Sequence, residues 1–433
     1  MKRKIIDELI NWKNANESKP ILLTGMKGVG KTYLAYDFAK TFYSQIIYLN
    51  FERDPNVVSL FLSTDVHIIA KEITQHSNIE GEISLEDTIL ILDEVTYLPF
   101  ALETIDQLLQ FGYFKYIIAI SSSPVDYSMN YGQYKQVTLY PLDFDEFLKA
   151  TSNEWYIEAI SYHFNSNKKI PDIVHKELLV LFELYLHIGG MPCAINEYFS
   201  LSSETNIAEQ HNQLESVYHN YIKKNNTESD ALKINQVYDI LALQLMKENK
   251  KFQYKLIRKG TTHAMYKEAI QFLEDHNFAI KCSKLSEEQL EIIASPRING
   301  KVTKNESIAS PNFKLYMQDV GMLYSNMIET EYMQFDNIAK RGLLENYVAQ
   351  ALHTNGYDIG FWESDSMAKI DFIITNEDGI IPIEVHLNDN TRSKSISIFK
   401  QKYDVSYAVK ISSKNFELTN NIKYVPYYAV FCL

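Results

Sequence analysis

The stretch GMKGVGKT, from Gly25 to Thr32, fits the pattern G-x-x-x-x-G-K-[ST] without a mismatch. It follows a short apolar run, Ile21–Thr24, and precedes a run with helical character, Tyr33–Phe42. A strand before the loop and a helix after it are the context that a phosphate-binding loop requires. Glycines let the backbone curl so that N–H groups face phosphate oxygens, and the next helix adds a favourable dipole. The sequence therefore predicts a phosphate-binding loop, called the phosphate loop below, at residues 25–32.

The side chains of the phosphate loop are predicted to hold a nucleotide and its metal. Lys31 would reach the β- and γ-phosphates and act in catalysis, and the hydroxyl of Thr32 would ligate Mg²⁺. The predicted cofactor-binding residues are Gly25, Met26, Lys27, Gly28, Val29, Gly30, Lys31 and Thr32. Such a loop binds phosphates and not bases, so the loop alone does not distinguish ATP from GTP.

A second chemical signal is the apolar run Thr88–Leu92, which leads into Asp93 and Glu94. A buried strand that ends in two carboxylates is the expected companion of a phosphate loop. Asp93 is predicted to bind Mg²⁺ through its water shell, and Glu94 is predicted to orient and polarise the attacking water. The two motifs together predict hydrolysis of a nucleoside triphosphate.

Three more apolar runs, Gln45–Glu52, Lys115–Ser123 and Gln136–Leu142, resemble buried parallel strands and alternate with helical segments. This alternation predicts an α/β fold with a parallel sheet. Residues 121–123 are serines at the end of one strand, where ligands bind an open α/β sheet. One of them is predicted to contact the γ-phosphate or the water, unless the serines only begin a turn.

Composition narrows the class of protein. The chain has 433 residues, 46% of them hydrophobic and 22% charged, which is typical of a folded protein of about three domains. No apolar run reaches the roughly 18–20 residues of a membrane span, and the N-terminus is too polar for a signal peptide. The three cysteines are far apart and form no metal-ligand pattern. We therefore expect a cytoplasmic protein that does not bind membranes.

The motifs resemble those of a known family. GMKGVGKT, ILILDEV and LYPLDFDEFL are similar to the prokaryotic AAA-type (P-loop) ATPases that carry a C-terminal domain of unknown function with a fold like that of PD-(D/E)xK nucleases. Later stretches fit the family pattern in the same order, namely Tyr185–Pro192, Phe313–Tyr324, Arg341–Leu352 and Ile370–His386. The resemblance implies ATP and Mg²⁺ as the ligands of the phosphate loop. The lack of an N/T-K-x-D stretch also favours ATP over GTP.

One departure from the family bears on hydrolysis. Its members usually carry a Gly-Arg pair before the PL-F-EF stretch, whereas residues 131–135 read YGQYK. Arg3 and Arg53 are the only arginines in the first 200 residues. Because an arginine at the γ-phosphate contributes about 10³–10⁵ to the rate, we expect slow hydrolysis, a substitute such as Lys135, or an arginine from the C-terminal half.

Four segments are predicted after the motifs are placed on the chain. Residues 1–150 would form the ATPase core, 151–230 a helical lid, 231–325 a winged-helix-like domain and 337–433 a small α/β domain like restriction endonucleases. The polar stretch Asn225–Asp230 supports the second boundary.

The middle segment is locally basic in a chain of net charge −13. Between Ala231 and Lys284 there are ten Lys and Arg residues against five Asp and Glu. Tyr266–Asp275 is a candidate recognition helix, and the stretch from Phe278 is a candidate wing strand. The predicted DNA-phosphate contacts are Lys250, Lys251, Lys255, Arg258 and Lys259. The alternative is a solvated charged face on a domain that contacts a protein partner or another copy of the chain.

The C-terminal segment carries a possible nuclease-like site. Its candidate residues are Glu345 on a helix, Asp371 at a strand start, and Glu384 and His386 on the next strand. Strand alternation places Glu384 and His386 on one face, as in an E-x-K motif. His386 replaces the motif lysine, Lys369 stands where relatives have an acidic residue, and Lys394 or Lys400 are possible substitutes. An active metal nuclease and a degenerate interaction domain both remain open, with ATP hydrolysis as the predicted switch for these modules.

Overall fold

Two β-sheets organise the chain, one in each of two compact units, Met1–Tyr140 and Pro141–Leu433. The computed structural model describes residues 1–15, 19–77, 79, 83–98, 100–125, 133–201, 204–294, 311–329, 335–364, 368–377 and 379–433. The two units are considered separately below.

The first unit contains a five-stranded sheet in which every neighbouring pair is parallel. Its strands are β1 (Ile21–Thr24), β2 (Gln45–Asn50), β3 (Thr88–Asp93), β4 (Tyr116–Ser121) and β5 (Lys135–Thr138), in the spatial order β2-β3-β4-β1-β5. All residues of β3 and β4 are buried, as their continuous apolar sequences predict. Because the strands are parallel, the residues that follow β1, β3 and β4 meet at one edge. The predicted α/β fold with a parallel sheet is confirmed.

Helices cover this sheet and connect its strands. They are α1 (Ile5–Asn14), α2 (Lys31–Phe42), α3 (Pro55–Ser59), α4 (Val66–His76) and α5 (Ala101–Gln110). Helix α2 begins at the lysine of the phosphate loop, which places the N-terminus of the helix at the predicted phosphate site. The predicted strand from Gln136 to Leu142 is shorter in the structure, since β5 ends at Thr138.

The second unit is mainly helical in its first half. Its helices are α6 (Phe144–Ala150), α7 (Trp155–Ser166), α8 (Asp172–Ile188), α9 (Pro192–Leu201), α10 (Glu204–Asn225), α11 (Glu228–Asp239), α12 (Leu241–Leu245), α13 (His263–Asp275), α14 (Glu287–Ala294), α15 (Val320–Glu329), α16 (Asn337–Thr354) and α17 (Ser395–Lys402). The helical content predicted for residues 150–230 is confirmed. Among the described helices, none by itself is long and apolar enough to cross a membrane, although α8 and Pro192–Ser200 together meet that criterion as a pair bent by 114°.

Two stretches quoted for the family resemblance pack against each other in this unit. An added Cβ on Gly190 would lie 2.1 Å from the carbonyl oxygen of Leu142, and one on Gly321 would lie 2.5 Å from the nitrogen of Gly189. The carboxylate of Asp319 accepts a hydrogen bond from the Gly190 nitrogen at 2.6 Å. These stretches are therefore required for close packing of α8, α9 and α15.

The second sheet has eight strands and is mixed. They are β6 (Ala279–Lys284), β7 (Phe313–Met317), β8 (Gly360–Glu363), β9 (Lys369–Asn376), β10 (Gly379–Val385), β11 (Ala408–Ser412), β12 (Glu417–Thr419) and β13 (Ile422–Pro426), in the order β12-β13-β11-β10-β9-β8-β6-β7. Strand β6 pairs in parallel with β8. The candidate wing strand and the strands of the predicted C-terminal domain therefore belong to one sheet.

The structure differs from the predicted division in its second half. A boundary near residue 325 runs between strands of a single sheet, and Asn225–Asp230 covers the end of α10 and the start of α11, which only Asn226 and Thr227 separate. The winged-helix and restriction-endonuclease-like assignments stay predictions. The last strand, β13, ends at Pro426, and Tyr427–Cys432 forms a 3₁₀ helix.

Candidate nucleotide-binding site

The phosphate loop has the backbone that its glycines predicted. Gly25, Gly28 and Gly30 have φ angles of 140°, 91° and 94°, which side chains of L-residues rarely tolerate. An added Cβ on Gly25 would also lie 2.1 Å from the carbonyl oxygen of Leu139. Glycine is therefore needed at the first loop position both for backbone conformation and for the close approach of Leu139, the residue that follows β5.

Lys31 is buried at the centre of the loop. Its ammonium donates to the carbonyl oxygens of Gly25 at 2.7 Å and Met26 at 3.1 Å, and to the hydroxyl of Ser122 at 2.9 Å. Burial lowers the pKa of Lys31 to about 8, although the two carboxylates after β3 oppose this shift. The hydrogen bonds to neutral oxygens hold the ammonium in place, and a phosphate would add a charge-assisted hydrogen bond to it.

The carboxylate of Asp93 joins β3 to the loop and to β2. A single oxygen, Oδ2, accepts from the hydroxyls of Thr32 at 2.8 Å and Tyr48 at 2.7 Å, and from the amide of Asn50 at 3.0 Å. Adjacent hydroxyl and carboxylate oxygens suit Mg²⁺, which prefers hard oxygen ligands and retains several waters. The residues present therefore fit the predicted metal, with Thr32 and Asp93 as the residues that would hold it.

Glu94 has a strained backbone and a fixed carboxylate. Its φ of 57° is in the left-handed region, which is unusual for this residue type and often marks a functional site. The carboxylate accepts a hydrogen bond from the backbone nitrogen of Ser122 at 3.0 Å and a short one from its hydroxyl. Lys31 donates to that same hydroxyl, so Ser122 connects the loop lysine to Glu94.

The predicted site residues of the first unit are thus brought together. The phosphate loop, Asp93 and Glu94 lie at the carboxyl edge of the sheet, and Ser122 is the serine of 121–123 that reaches them. Sequence reasoning missed Tyr48 and Asn50, although both lie on an apolar strand where a polar side chain signals a specific partner. Within the described ranges, the contacts of Asp93 and Glu94 are all with uncharged groups.

The suggested substitutes for the missing arginine are placed elsewhere. Lys135 forms an ion pair with Glu8 at 3.2 Å and lies opposite Ile21, at the amino end of the parallel strands. The proposal of Lys135 as a γ-phosphate contact is therefore wrong, because the phosphate loop lies at the other end of the strands. Arg3 is buried and donates to the carbonyl oxygens of Val29 and Tyr140. Residues 131 and 132 of the YGQYK stretch lie outside the described residues.

The predicted nuclease-like residues form two separate ion-pair networks. In the first, the carboxylate of Glu345 contacts Lys314 at 3.2 Å and Arg341 at 3.0 Å. Arg341 also donates to both carboxylate oxygens of Asp371 at 3.1 Å. Burial opposes ionisation of Glu345, but Lys314, Lys250 and Arg341 hold its pKa well below the ordinary value. This network is therefore a buried cluster of paired charges.

Glu384 belongs to the second network. Its carboxylate contacts Lys410 at 3.4 Å and His386 at 3.1 Å, and it accepts from the hydroxyl of Ser393 at 2.7 Å. The predicted proximity of Glu384 and His386 is therefore observed. The cation beside Glu384 is Lys410, which faces it on the neighbouring strand, and not Lys394 or Lys400.

The two networks meet between β9 and β10, because the carboxylate of Asp371 accepts a hydrogen bond from the backbone nitrogen of Val385 at 2.9 Å, and Val385 lies between Glu384 and His386. That the four residues act as one site stays a prediction.

The pairing of β9 with β8 is irregular near Asp371. Gly360 lies opposite Ile373 and Trp362 opposite Ile370, so β9 has one more residue than β8 in this interval. Asp371 lies within the irregularity, and simple alternation does not predict its direction.

Among the described His, Cys, Asp and Glu residues, a group with the spacing of metal ligands lies outside the predicted nuclease-like residues. Glu215, His219 and Asp239 have ligand atoms within 4.8 Å of one another, on α10 and α11. His219 and Asp239 already form an ion pair at 2.9 Å. Their arrangement is explained by this ion pair.

The basic cluster of the middle segment is only partly available to DNA. Lys250 is buried, its ammonium donates to the carbonyl oxygen of Lys247, and burial lowers its pKa. Lys251 forms an ion pair with Glu363 at 2.8 Å. A phosphate contact by Lys250 is therefore wrong, and Lys251 already has an anionic partner. The exposed members are Lys255, Arg258 and Lys259.

Comparisons with known families divide the chain into three parts. Residues 17–148 match the AAA domain family, whereas residues 180–331 and 340–430 match two different domains of unknown function. No curated protein matches the chain. The nuclease-like fold suggested for the C-terminal domain is thus not established by these matches.

Solved structures with partial similarity include a Walker-type ATPase of Pyrococcus abyssi, with 13% identity, a TM-score of 0.41, and coverage of 75% of this chain and 95% of that one. PCH-2 of C. elegans has 20% identity, a TM-score of 0.28 and coverages of 48% and 63%. The Hsp104–ADP complex of S. cerevisiae has 15% identity, a TM-score of 0.28 and coverages of 63% and 37%. The family match of residues 17–148, the loop geometry and the parallel sheet agree with one another and support a P-loop ATPase of the AAA type in the N-terminal part of this chain.

Proposed function

We propose that the chain binds ATP with Mg²⁺ at the phosphate loop and hydrolyses it. The observation that carries this proposal is the connection from Lys31 through the Ser122 hydroxyl to Glu94. It holds a phosphate-binding cation and a candidate base at fixed positions beside Asp93. Preorganised charge of this kind is the main contribution that a protein makes to phosphoryl transfer.

In the proposed binding mode, the N–H groups of the loop and the ammonium of Lys31 hold the β- and γ-phosphates. Thr32 and Asp93 would hold Mg²⁺, which offsets phosphate charge when it is bound. Tyr48 and Asn50 orient the Asp93 carboxylate from β2. These contacts keep the phosphates in line for attack by water.

In the proposed reaction, Glu94 accepts a proton from a water molecule whose oxygen attacks the γ-phosphorus. The bond from that phosphorus to the bridging oxygen breaks, and its electron pair leaves with ADP. The other product is inorganic phosphate, which receives the oxygen of the water. Ser122 positions Glu94 by donating to its carboxylate from both backbone and side chain.

The same cycle is proposed to act as a switch for residues 141–433. The support lies in the contacts of the loop with the last residues of the first unit. The nitrogen of Leu139 donates to the carbonyl oxygen of Thr24 at 2.8 Å, and Arg3 donates to both Val29 and Tyr140. A loop that rearranges around phosphate therefore acts directly on the segment that leads into the second unit.

A second candidate function is a nucleotide-controlled interaction module with little hydrolysis. It is favoured by the placement of Arg3, which is occupied by backbone carbonyl groups, and of Lys135, which lies at the amino end of the strands. In either case, we propose that the C-terminal domain acts by binding and not by metal-dependent cleavage, since Glu345, Asp371 and Glu384 are paired with internal cations. The partner is then a protein, another copy of the chain, or DNA through the exposed part of the basic cluster.

Steady-state turnover of ATP tests the enzyme. We expect wild-type protein to release phosphate in the presence of Mg²⁺, and Glu94→Gln to bind ATP normally while its turnover falls by about 10²–10⁴-fold. Lys40→Ala, an exposed lysine on α2, is the matched control and should behave as wild type. Equal turnover in Glu94→Gln and wild type would contradict the proposed role of Glu94.

Incubation of wild type with duplex DNA and Mn²⁺ or Mg²⁺ tests the C-terminal domain. We expect no cleavage. Metal-dependent cleavage that Asp371→Ala abolishes would show that the paired carboxylates are nevertheless an active site.

A further inference from the structure

The side chain of Lys27 is a second cation of the phosphate loop. Its ammonium lies 2.6 Å from a carboxylate oxygen of Glu52, which follows β2. The hydroxyl of Tyr97 donates to the other oxygen of Glu52 at 3.3 Å. The side chains of Lys27 and Glu52 are 24% and 21% exposed, so solvent and ligands have access to the pair. An ion pair in such a position is replaceable, because its net contribution to stability is small.

Two observations place the ammonium of Lys27 near the phosphates. Lys27 stands between Gly25 and Gly28, whose left-handed φ angles form the turn of the loop. The backbone nitrogen of Glu52, the partner of Lys27, donates to the side-chain oxygen of Asn50 at 3.1 Å. The amide of Asn50 in turn donates to Asp93 at 3.0 Å. The ion pair of Lys27 therefore lies at the same edge of the sheet as the predicted metal ligand Asp93.

The proposed reaction also requires positive charge at the γ-phosphate. Arg3 is engaged with backbone carbonyl groups, and Lys135 lies at the opposite end of the strands. Besides Lys31, Lys27 is the cation that the phosphate loop itself supplies.

We propose that Lys27 leaves Glu52 when ATP binds, contacts the γ-phosphate, and supplies in cis the charge that an arginine provides in related enzymes. This inference rests on the proposed function and adds to it a preference for ATP over ADP. A terminal phosphate has more charge than a single carboxylate and is therefore the stronger partner. ADP lacks that phosphate, so Lys27 remains paired with Glu52 in the ADP state. The Lys27–Glu52 pair thus discriminates the two nucleotides.

The ratio of affinities for ATP and ADP is the direct measurement, by calorimetric titration of the full chain with each nucleotide and Mg²⁺. We expect Lys27→Ala to reduce the preference for ATP by about tenfold or more, because one charge-assisted hydrogen bond to the γ-phosphate is lost. Lys27→Arg should retain the preference, and Lys40→Ala should not change it. Turnover at saturating ATP should fall by about 10²-fold or more in Lys27→Ala and recover in part in Lys27→Arg.

Glu52→Gln is the second variant, and it tests the proposed competition. Loss of the carboxylate should strengthen ATP binding by about threefold or more and leave ADP binding nearly unchanged. An unchanged ATP-to-ADP ratio in Lys27→Ala, or weaker ATP binding in Glu52→Gln, overturns the inference while ATP binding by wild type persists. Failure of wild type to bind ATP would instead overturn the proposed function.

Discussion

The two units of the molecule both place lysines and carboxylates at a β-sheet, but they satisfy those charges differently. In the first unit, the described contacts of Lys31, Asp93 and Glu94 are hydrogen bonds with uncharged groups. In the second unit, Glu345 and Glu384 contact lysines at 3.2 and 3.4 Å. The first arrangement retains charges for a ligand, whereas the second neutralises them within the protein.

This difference is energetic as well as geometric. Buried charges cost free energy unless a counter-charge or a set of hydrogen bonds compensates them. The second unit provides counter-charge for Glu345 and Glu384 from its own chain, which supports the proposal that its C-terminal domain acts by binding. The first unit uses hydrogen bonds and a strained residue, Glu94, which leaves part of the compensation to nucleotide and Mg²⁺. The same residue types therefore indicate a ligand site only where their charges are not already paired.

The largest effect is expected from a substitution that breaks a buried ion pair in the second unit. Lys314→Ala should reduce the free energy of unfolding by about 3 kcal/mol or more, because it leaves the buried Glu345 with less compensating charge. Thermal or urea unfolding of the full chain measures it. The matched control is Lys115→Ala, which removes an exposed ion pair with Glu86 and should change the midpoint little. Equal effects of the two substitutions would show that the internal ion pairs do not stabilise the second unit.

The pH dependence of ATP binding tests the buried ammonium of Lys31 in the first unit. Lys31 has a pKa of about 8 without nucleotide, and bound phosphates should raise it, so binding at higher pH takes up a proton. ATP affinity should therefore be nearly constant below pH 8 and fall about tenfold between pH 7 and pH 9. Calorimetry in buffers of different ionisation enthalpy should detect the proton uptake at pH 9. Affinity that is unchanged or rises across this interval would contradict the lowered pKa.

The smallest effect is expected from removing the hydroxyl of Ser122, which connects Lys31 to Glu94. Ser122→Ala should lower turnover by about three- to tenfold, because it removes one of the two hydrogen bonds to Glu94 and one from Lys31. Ser121→Ala is the control, since that hydroxyl donates to the backbone of Ser123. A phosphate-release assay at saturating ATP compares them. If Ser121→Ala lost activity and Ser122→Ala did not, the proposed role of Ser122 in positioning Glu94 would be wrong.

The first unit was largely predictable because its signals are local. A phosphate loop requires glycines at fixed spacing, and parallel strands bring Asp93 and Glu94 to it without further information. The contacts of three further residues could not be predicted, namely Tyr48, Asn50 and Ser122. They depend on the register of β2, β3 and β4, which is set by pairing between distant parts of the chain.

The ion pairs of the nuclease-like residues were not predicted, because their partners are distant in sequence. Lys314 and Lys410 lie on β7 and β11, far along the chain from Glu345 and Glu384. A useful signal was present, since both lysines interrupt apolar strands, FKLYM and AVKIS, where a buried ammonium needs a carboxylate. Asp371 was beyond such reasoning, because the irregular pairing of β9 has no period in the sequence.

Titration of the full chain with ATP and Mg²⁺ tests the central claim most directly, with wild type, Lys31→Ala and Asp371→Asn compared by calorimetry. The account predicts one nucleotide per chain for wild type, loss of binding in Lys31→Ala and unchanged binding in Asp371→Asn. Binding that survives Lys31→Ala, or that disappears in a folded Asp371→Asn protein, would contradict it.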